Sequence, residues 1–338
     1  MSSGNKAEYA NCLDQHMDLV QLQRDLIELG EIMSKDRAPV VMGSEDFQEK
    51  AVESLMTVGR GLFSVSKWVG GKAINGFFQG ITAAGNQIEK SFGTNESLIK
   101  NVLRGADKVA GKEISISASK VALITSSGNP DHILEDMEIL IKTLEVFASH
   151  QKDVMAYLDK ELITLKKLKT AKKGEQVHAV VDEFNELAYP DFKLGNKMGD
   201  AFKSDILPGG RYFIFNKADD KPVYSVAGEA PKGEGKALTM SKDEVSAILN
   251  KLNKVNAMHN EVKESYDNYL GFIKSWAEMV KGVDGNLAQL DTVSKTVVTE
   301  AEKLMAGNMG ALAFYSGFTP RVVGYTDKYI HGVLGVFA

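Results

Sequence analysis

The sequence predicts a mainly α-helical protein with long antiparallel coiled-coil-like helices, a small β element and a glycine-rich helical segment. Two heptad patterns of apolar residues, the first about 40 residues long, are the main evidence for this fold class. The scarcity of proline, which ends helices, adds to this evidence: the chain has 7 prolines, against 31 glycines. The chain has 338 residues, of which 43% are hydrophobic and 25% charged, so it can bury a sizeable core.

Net charge and cysteine content exclude several classes of protein. A net charge of -5 and a pI near 5.8 argue against a protein whose main task is wrapping nucleic acid. These totals still allow a local basic face on the surface. The single cysteine, Cys12, excludes an internal disulfide and a Cys-rich zinc module. Residues 1–10 lack the apolar centre of a secretory signal. Charged residues interrupt the longest apolar region, residues 55–84, so no membrane span is predicted.

The first predicted segment, residues 1–43, is an N-terminal coiled-coil helix. Its apolar residues recur at alternating steps of three and four, and this seam requires a helical partner. Pro39 and Gly43 end the pattern. The seam residues that we expect to mediate interaction are Leu19, Leu22, Leu26 and Leu29.

The second segment, residues 44–111, is a helical segment rich in glycine and aromatic residues. Eight glycines lie between residues 59 and 93, interleaved with apolar side chains, and no acidic residue occurs there before Glu89. One interpretation is a pair of closely packed helices, because small residues let backbones approach. The other is a membrane-active segment. Trp68, Phe77 and Phe78 are the candidate partner or membrane contacts in either case.

The third segment, residues 112–283, contains the two long heptad helices. Residues 112–125 alternate and predict a strand, with a second strand possible, before Asn129 as an N-cap and Pro130 as the first helical residue. The second helix begins with a capping box of Ser241 and Glu244. We expect the two helices to bury a shared seam in antiparallel orientation. Its interaction residues are Leu140, Leu144, Phe147, Leu158, Ile248, Leu252, Val255 and Trp276.

A β-hairpin is predicted between the two long helices. Residues 211–215 and 223–227 are strand-like and are separated by a polar turn containing Asp219 and Asp220. His259 falls at an a position of the second helix, where a polar residue sets the register of a seam. Gln151 interrupts the first seam at the matching step, so either a degenerate duplication or two independent helices fits the pattern.

The fourth segment, residues 284–338, is predicted as a C-terminal helix over residues 287–305 followed by an apolar docking tail. The tail has no strong amphipathic period and therefore needs a receiving surface. A groove of the same chain or a neighbouring subunit could supply it. The candidate contacts in the tail are Phe314, Phe318 and Tyr325.

No residue pattern predicts catalysis, a cofactor or a metal site. The glycines of residues 228–233 have the spacing of a phosphate loop, but Glu234 stands where the lysine is needed. The histidines form no HExxH motif, and no Gly-x-Ser-x-Gly elbow is present. The lysines within residues 166–173 are interpreted as cations that stabilise the negative end of a helix dipole, and this role is favoured over contact with nucleic acid. We therefore expect a protein that is not an enzyme and that binds no cofactor.

Two motifs precede the heptad helices, KVALITSSGNP at residues 120–130 and GKALTM at residues 235–240. Together with the coiled-coil start at residues 19–33 and the glycine-aromatic segment, they resemble the internal virion proteins of giant tailed bacteriophages. This resemblance implies a helix-rich protein that lacks catalytic motifs and is packaged in the head. Many members are processed after Ser-x-Glu. This chain contains no Ser-x-Glu, which implies an unprocessed or an already mature member.

The expected function is that of a non-enzymatic structural protein of the virion, synthesised in the host cytoplasm. It would assemble through its helical seams with other virion proteins or with copies of itself, and it would bind no specific nucleic acid. The alternative is a soluble helical pore-forming or membrane-perturbing protein. In that case residues 59–93 would be the concealed segment that contacts the membrane.

Overall fold

The computed structural model describes residues 95, 99–102, 109–199, 201–218, 221–287 and 295–337, and most of them are helical. The prediction of a mainly α-helical protein is confirmed. Three of the helices are long, with 38, 46 and 43 residues. The helices are α1 Ala118–Ile124, α2 Ile133–Thr170, α3 Gly174–Asn185, α4 Lys242–Leu287 and α5 Lys295–Phe337.

Two small antiparallel sheets accompany these helices. The strands are β1 Glu113–Ile116, β2 Asn196–Met198, β3 Ala201–Lys203, β4 Tyr212–Ala218, β5 Lys221–Ala227 and β6 Lys236–Thr239. β1 pairs with β6, whereas the other four strands form one sheet in the order β2-β3-β4-β5. The hairpin of β4 and β5 confirms the predicted small β element. Its predicted turn residues, Asp219 and Asp220, lie outside the described residues.

The predicted start signals of both heptad helices are confirmed. The Asn129 side chain accepts a hydrogen bond from the Asp131 amide at 3.1 Å, and Pro130 begins a short 3-10 turn that leads into α2. Before α4, the Ser241 amide donates to the Glu244 carboxylate at 2.8 Å, and the Glu244 amide donates back to the Ser241 hydroxyl at 3.2 Å. These hydrogen bonds lower the pKa of Glu244. Local sequence therefore determines where α2 and α4 begin.

The chain divides into two compact units, and each takes part of α2, α4 and α5. The described residues of unit 1 are 154–190, 267–287 and 295–318. Unit 2 contains the described residues between 95 and 153, between 191 and 266, and from 319 to 337. Both β sheets belong to unit 2. Each unit has its own buried core of aliphatic and aromatic side chains.

In unit 2, α2 and α4 run parallel to each other, so the predicted antiparallel orientation is wrong. Lys251 of α4 pairs with Glu138 of α2 at 2.7 Å. Further along both helices, the Gln151 side-chain amide donates to the carbonyl of Val262 at 3.3 Å. Residue numbers rise together along the two helices, which only a parallel pair allows.

Unit 1 shows the same parallel direction. Glu161 contacts Trp276, and Leu168 contacts Asn286 further along both helices. A heptad pattern is the same when it is read from either end, so it carries no information about direction. The direction depends on the connection, and the segment between α2 and α4 contains a helix and a sheet that return the chain to the start of α2.

Two further elements differ from the sequence-based prediction. The strand predicted over residues 112–125 ends at Ile116, and the apolar run that follows forms α1. Ser117 caps α1 by accepting a hydrogen bond from the Lys120 amide, and Val121 and Ile124 are buried on one face. A short apolar run is compatible with either a strand or a short helix, and the capping residue favours the helix here.

At the C-terminus, one helix replaces the predicted helix and tail. α5 continues without interruption from Lys295 to Phe337 and contains Pro320. Gly332 lies against α1, where an added Cβ would be 2.9 Å from Leu123. Packing of this kind helps to sustain α5, because tertiary contacts supply most of the stability of a helix.

Candidate assembly surfaces

The predicted seam residues of α2 and α4 lie in the interior of the chain. Each of them is at most 4% exposed. They belong to the cores of the two units and are covered by other residues of the same chain. The residues concerned are Leu140, Leu144, Phe147, Leu158, Ile248, Leu252, Val255 and Trp276.

The remaining candidate contacts are placed as follows. Leu19, Leu22, Leu26 and Leu29 lie outside the described residues, as do Trp68, Phe77 and Phe78. Phe314 lies in α5, and its side chain is outside the described part of the structure. Phe318 is fully buried in unit 1. Tyr325 is half-buried in unit 2.

The receiving surface for the described part of the C-terminal helix comes from the same chain. In unit 1, the Tyr269 hydroxyl of α4 donates to the carbonyl of Leu312 at 2.8 Å, and its ring lies edge-on to Tyr315 with centroids 4.7 Å apart. In unit 2, the Tyr325 hydroxyl donates to the carbonyl of Pro208 at 2.8 Å. Of the two alternatives for this helix, these contacts favour the groove of the same chain.

A buried histidine in unit 2 is surrounded by aromatic rings, and sequence reasoning did not identify it. Nε2 of His150 lies 2.7 Å from the Tyr224 hydroxyl, and the imidazole stacks on Phe192 with centroids 4.7 Å apart. Burial lowers the pKa of His150 to about 3, although Asp191 opposes the shift. A neutral imidazole therefore joins α2 to β5 and to the segment that precedes β2.

Two polar residues at seam positions are buried in the cores of the units. In unit 1, Glu161 is fully buried and accepts a hydrogen bond from the Trp276 indole at 2.9 Å. In unit 2, His259 is buried as its a position predicts, and burial lowers its pKa against the opposing charge of Asp327. The hydrogen bond of Glu161 restricts helix register, because an unpaired buried polar group is costly.

The described residues offer few signs of catalytic or metal chemistry. No group of three or more His, Cys, Asp or Glu side chains among them could hold a metal ion. Within the same part of the chain, no helix is both long and apolar enough to cross a membrane. The glycines of residues 228–233 serve close backbone approach, since a Cβ at Gly233 would lie 2.0 Å from the carbonyl oxygen of Ala118.

Comparison with known proteins decides the family. Residues 71–326, well over half of the chain, match the family model described as phiKZ-like phage internal head proteins. The chain belongs to the phiKZ-like phage internal head proteins. Membership in this family places the protein in the virion, inside the head, and confirms the resemblance inferred from the sequence. Neither the curated proteins nor the solved structures yield a match to this internal head protein.

Proposed function

We propose that this internal head protein is a non-enzymatic structural protein that assembles with other virion proteins or with copies of itself. The observation that carries this proposal is the burial of the α2 and α4 seams within the chain, at positions such as Leu144 and Leu252. A chain that fills its own seams is a preformed building block. It can enter an assembly as a folded unit, without first ordering its long helices.

The interior polar groups support a structural role because they connect one element to another. Asp136 accepts hydrogen bonds from the amide and the hydroxyl of Ser126 at 2.8 and 2.6 Å, which ties α2 to the loop before it. His150 bonds to Tyr224, so α2 is also connected to the sheet. These contacts connect the elements of unit 2 to one another, as a folded building block requires.

We assign the assembly contact to the N-terminal seam of Leu19, Leu22, Leu26 and Leu29. Its three- and four-residue spacing equals that of the α2 and α4 seams, and such a seam buries its apolar stripe against another helix. Because α2 and α4 are already covered over their described lengths, their seams are not free for a neighbour. The N-terminal seam is the remaining heptad pattern of the sequence.

The test uses the full chain and a double variant, Leu22→Asp with Leu26→Asp. We expect the variant to keep its helical circular dichroism and melting temperature but to lose self-association or co-assembly, as measured by light scattering, and to be depleted from purified particles. Two off-seam changes, Gln21→Asp and Gln23→Asp, add the same charge and should leave assembly intact. Mass spectrometry of wild-type particles establishes the reference amount.

Two results would contradict the proposal. If the Leu22→Asp, Leu26→Asp chain assembles and enters particles like the wild type, the N-terminal seam is not the contact. If the wild-type chain is missing from purified particles, a structural role in the virion is wrong.

A further inference from the structure

We propose that four lysines, two in the last turns of α2 and two between α2 and α3, bind the phosphate backbone of double-stranded DNA without reading its sequence. We call Lys166, Lys169, Lys172 and Lys173 the lysine patch. All four side chains belong to exposed residues of unit 1. The inference rests on the proposed function, since a structural protein inside the head shares that compartment with the packaged genome.

Charge is concentrated at this site against the balance of the whole chain. Residues 162–174 contain five lysines and no acidic residue, whereas the chain has a net charge of -5. Lys167 is neutralised by Glu183, at 2.6 Å. None of the lysine patch residues forms an ion pair with another described residue. The described part of the chain therefore leaves these four charges without a carboxylate partner.

The end of α2 does not need these lysines as caps. The Thr170 hydroxyl lies 3.1 Å from each of the carbonyl oxygens three and four residues before it. The side-chain amide of Asn286 donates to the carbonyls of Leu168 and Ala171 at 3.2 and 2.9 Å. Last-turn carbonyls thus receive their hydrogen bonds from a hydroxyl and an amide. The lysine ammonium groups are therefore not needed as hydrogen-bond donors to these carbonyls.

The positive surface extends from α2 onto α4. The Lys169 stem crosses Gly282, where an added Cβ would lie 2.5 Å from the lysine Cε. Lys281, the preceding residue of α4, is exposed as well. Glycine at position 282 leaves the space in which Lys169 lies along α4. The two helices together present a surface that is broader than one helix end.

The chemistry of the patch favours a nucleic-acid backbone over an acidic protein. Between residues 164 and 173 every apolar residue is buried, namely Leu165, Leu168 and Ala171. Protein interfaces depend on buried apolar or aromatic anchors, which this stretch does not expose. Lysine is a flexible point charge that suits phosphates on a regular polyanion. Ile163, which is 57% exposed at the margin of the patch, provides a probe for the protein alternative.

The test measures binding of the full chain to a labelled random-sequence duplex by fluorescence anisotropy over a range of salt concentrations. The variant Lys166→Gln, Lys172→Gln, Lys173→Gln keeps Lys169, whose stem packs on Gly282. At low salt we expect this variant to bind the duplex at least about tenfold more weakly than the wild type does. The slope of log K against log salt concentration should become less steep by about 2 to 3. The matched control neutralises three exposed lysines of unit 2, which are Lys112, Lys193 and Lys232.

The expected control result is near wild-type DNA affinity, with unchanged melting in both variants. An equal loss in the control would overturn the proposal, because binding would then follow net charge and not the patch. Absence of DNA binding by the wild-type chain would also overturn it. If polyglutamate binds as tightly as the duplex and Ile163→Ser weakens both, the surface is a protein contact. Incorporation of the patch variant into particles is measured separately and reports on the proposed function alone.

Discussion

The indole nitrogen of Trp276 donates a 2.9 Å hydrogen bond to Oε1 of Glu161, and both side chains are fully buried. One side chain comes from α4 and the other from α2, within unit 1. A buried carboxylate needs hydrogen bonds, since desolvation without them costs several kcal/mol. The contact therefore restricts how the two parallel helices can slide past each other, because a change of register would separate the carboxylate from the indole.

Removing the indole donor should destabilise unit 1. Trp276→Phe keeps an aromatic ring but leaves Glu161 without this hydrogen bond, and we expect a loss of about 1 to 3 kcal/mol in the free energy of unfolding. The measurement is urea unfolding of a double-mutant cycle with Glu161→Met. In the Glu161→Met background the cost of Trp276→Phe should shrink by about 1 kcal/mol or more. If the costs of Trp276→Phe and Glu161→Met simply add in the double variant, the hydrogen bond contributes nothing to the free energy of unfolding.

A charge placed in the α2 seam should unfold the protein, whereas the same charge on the outer face should not. Leu144 is fully buried, and Leu144→Asp would bury an unpaired carboxylate at a cost of more than about 4 kcal/mol. Val146, two residues later, is 38% exposed, so Val146→Asp is the matched control with a cost within about 1 kcal/mol. Circular dichroism melting distinguishes the two, and equal melting temperatures would refute the buried seam.

The buried His150 makes stability depend on pH in a defined direction. Its pKa in the folded chain is about 3, below the value of about 6.5 for an exposed histidine. Between these values the unfolded chain binds a proton that the folded chain does not bind. This part of the stability is fully present above about pH 6.5 and is lost as pH falls toward 3.

Replacement of His150 should therefore weaken the acid sensitivity. From about pH 7.5 to about pH 5, the wild type should lose about 2 kcal/mol through His150, and His150→Phe should lack that loss. Urea unfolding at both pH values gives the two differences. His178→Gln, at a side chain that is 60% exposed on α3, is the control and should keep the wild-type difference. The idea fails if His150→Phe and the wild type lose the same stability on acidification.

Alanine at Gly233 should be far more damaging than alanine at Gly271. A Cβ at Gly233 would lie 2.0 Å from the carbonyl oxygen of Ala118 and 2.7 Å from the amide nitrogen of Ala122, so the loop would have to separate from α1. Gly271 lies in α4 with nothing within 4 Å of its added Cβ. We expect Gly271→Ala to stabilise by up to about 1 kcal/mol and Gly233→Ala to destabilise by about 2 kcal/mol or more. Thermal melting compares them directly.

Helix positions and their capping residues could be predicted from the sequence because those signals are local. The capping box of Ser241 and Glu244 and the N-cap of Asn129 act over three residues or fewer, and both are found in the structure. The heptad spacing identified the buried face of α2, including Leu144 and Leu158. The hairpin of β4 and β5 likewise follows from two short strand-like segments and the turn between them.

Helix direction, the single C-terminal helix and the surroundings of His150 depended on tertiary structure. A heptad seam has no polarity, so only contacts such as Glu138 with Lys251 show that α2 and α4 are parallel. α5 contains several glycines as well as Pro320, and it is sustained by contacts such as that of Gly332 with α1. His150 meets Tyr224, 74 residues away in the chain. Sequence periodicity records which face of a helix is apolar, but the identity and direction of what covers that face are set by long-range packing.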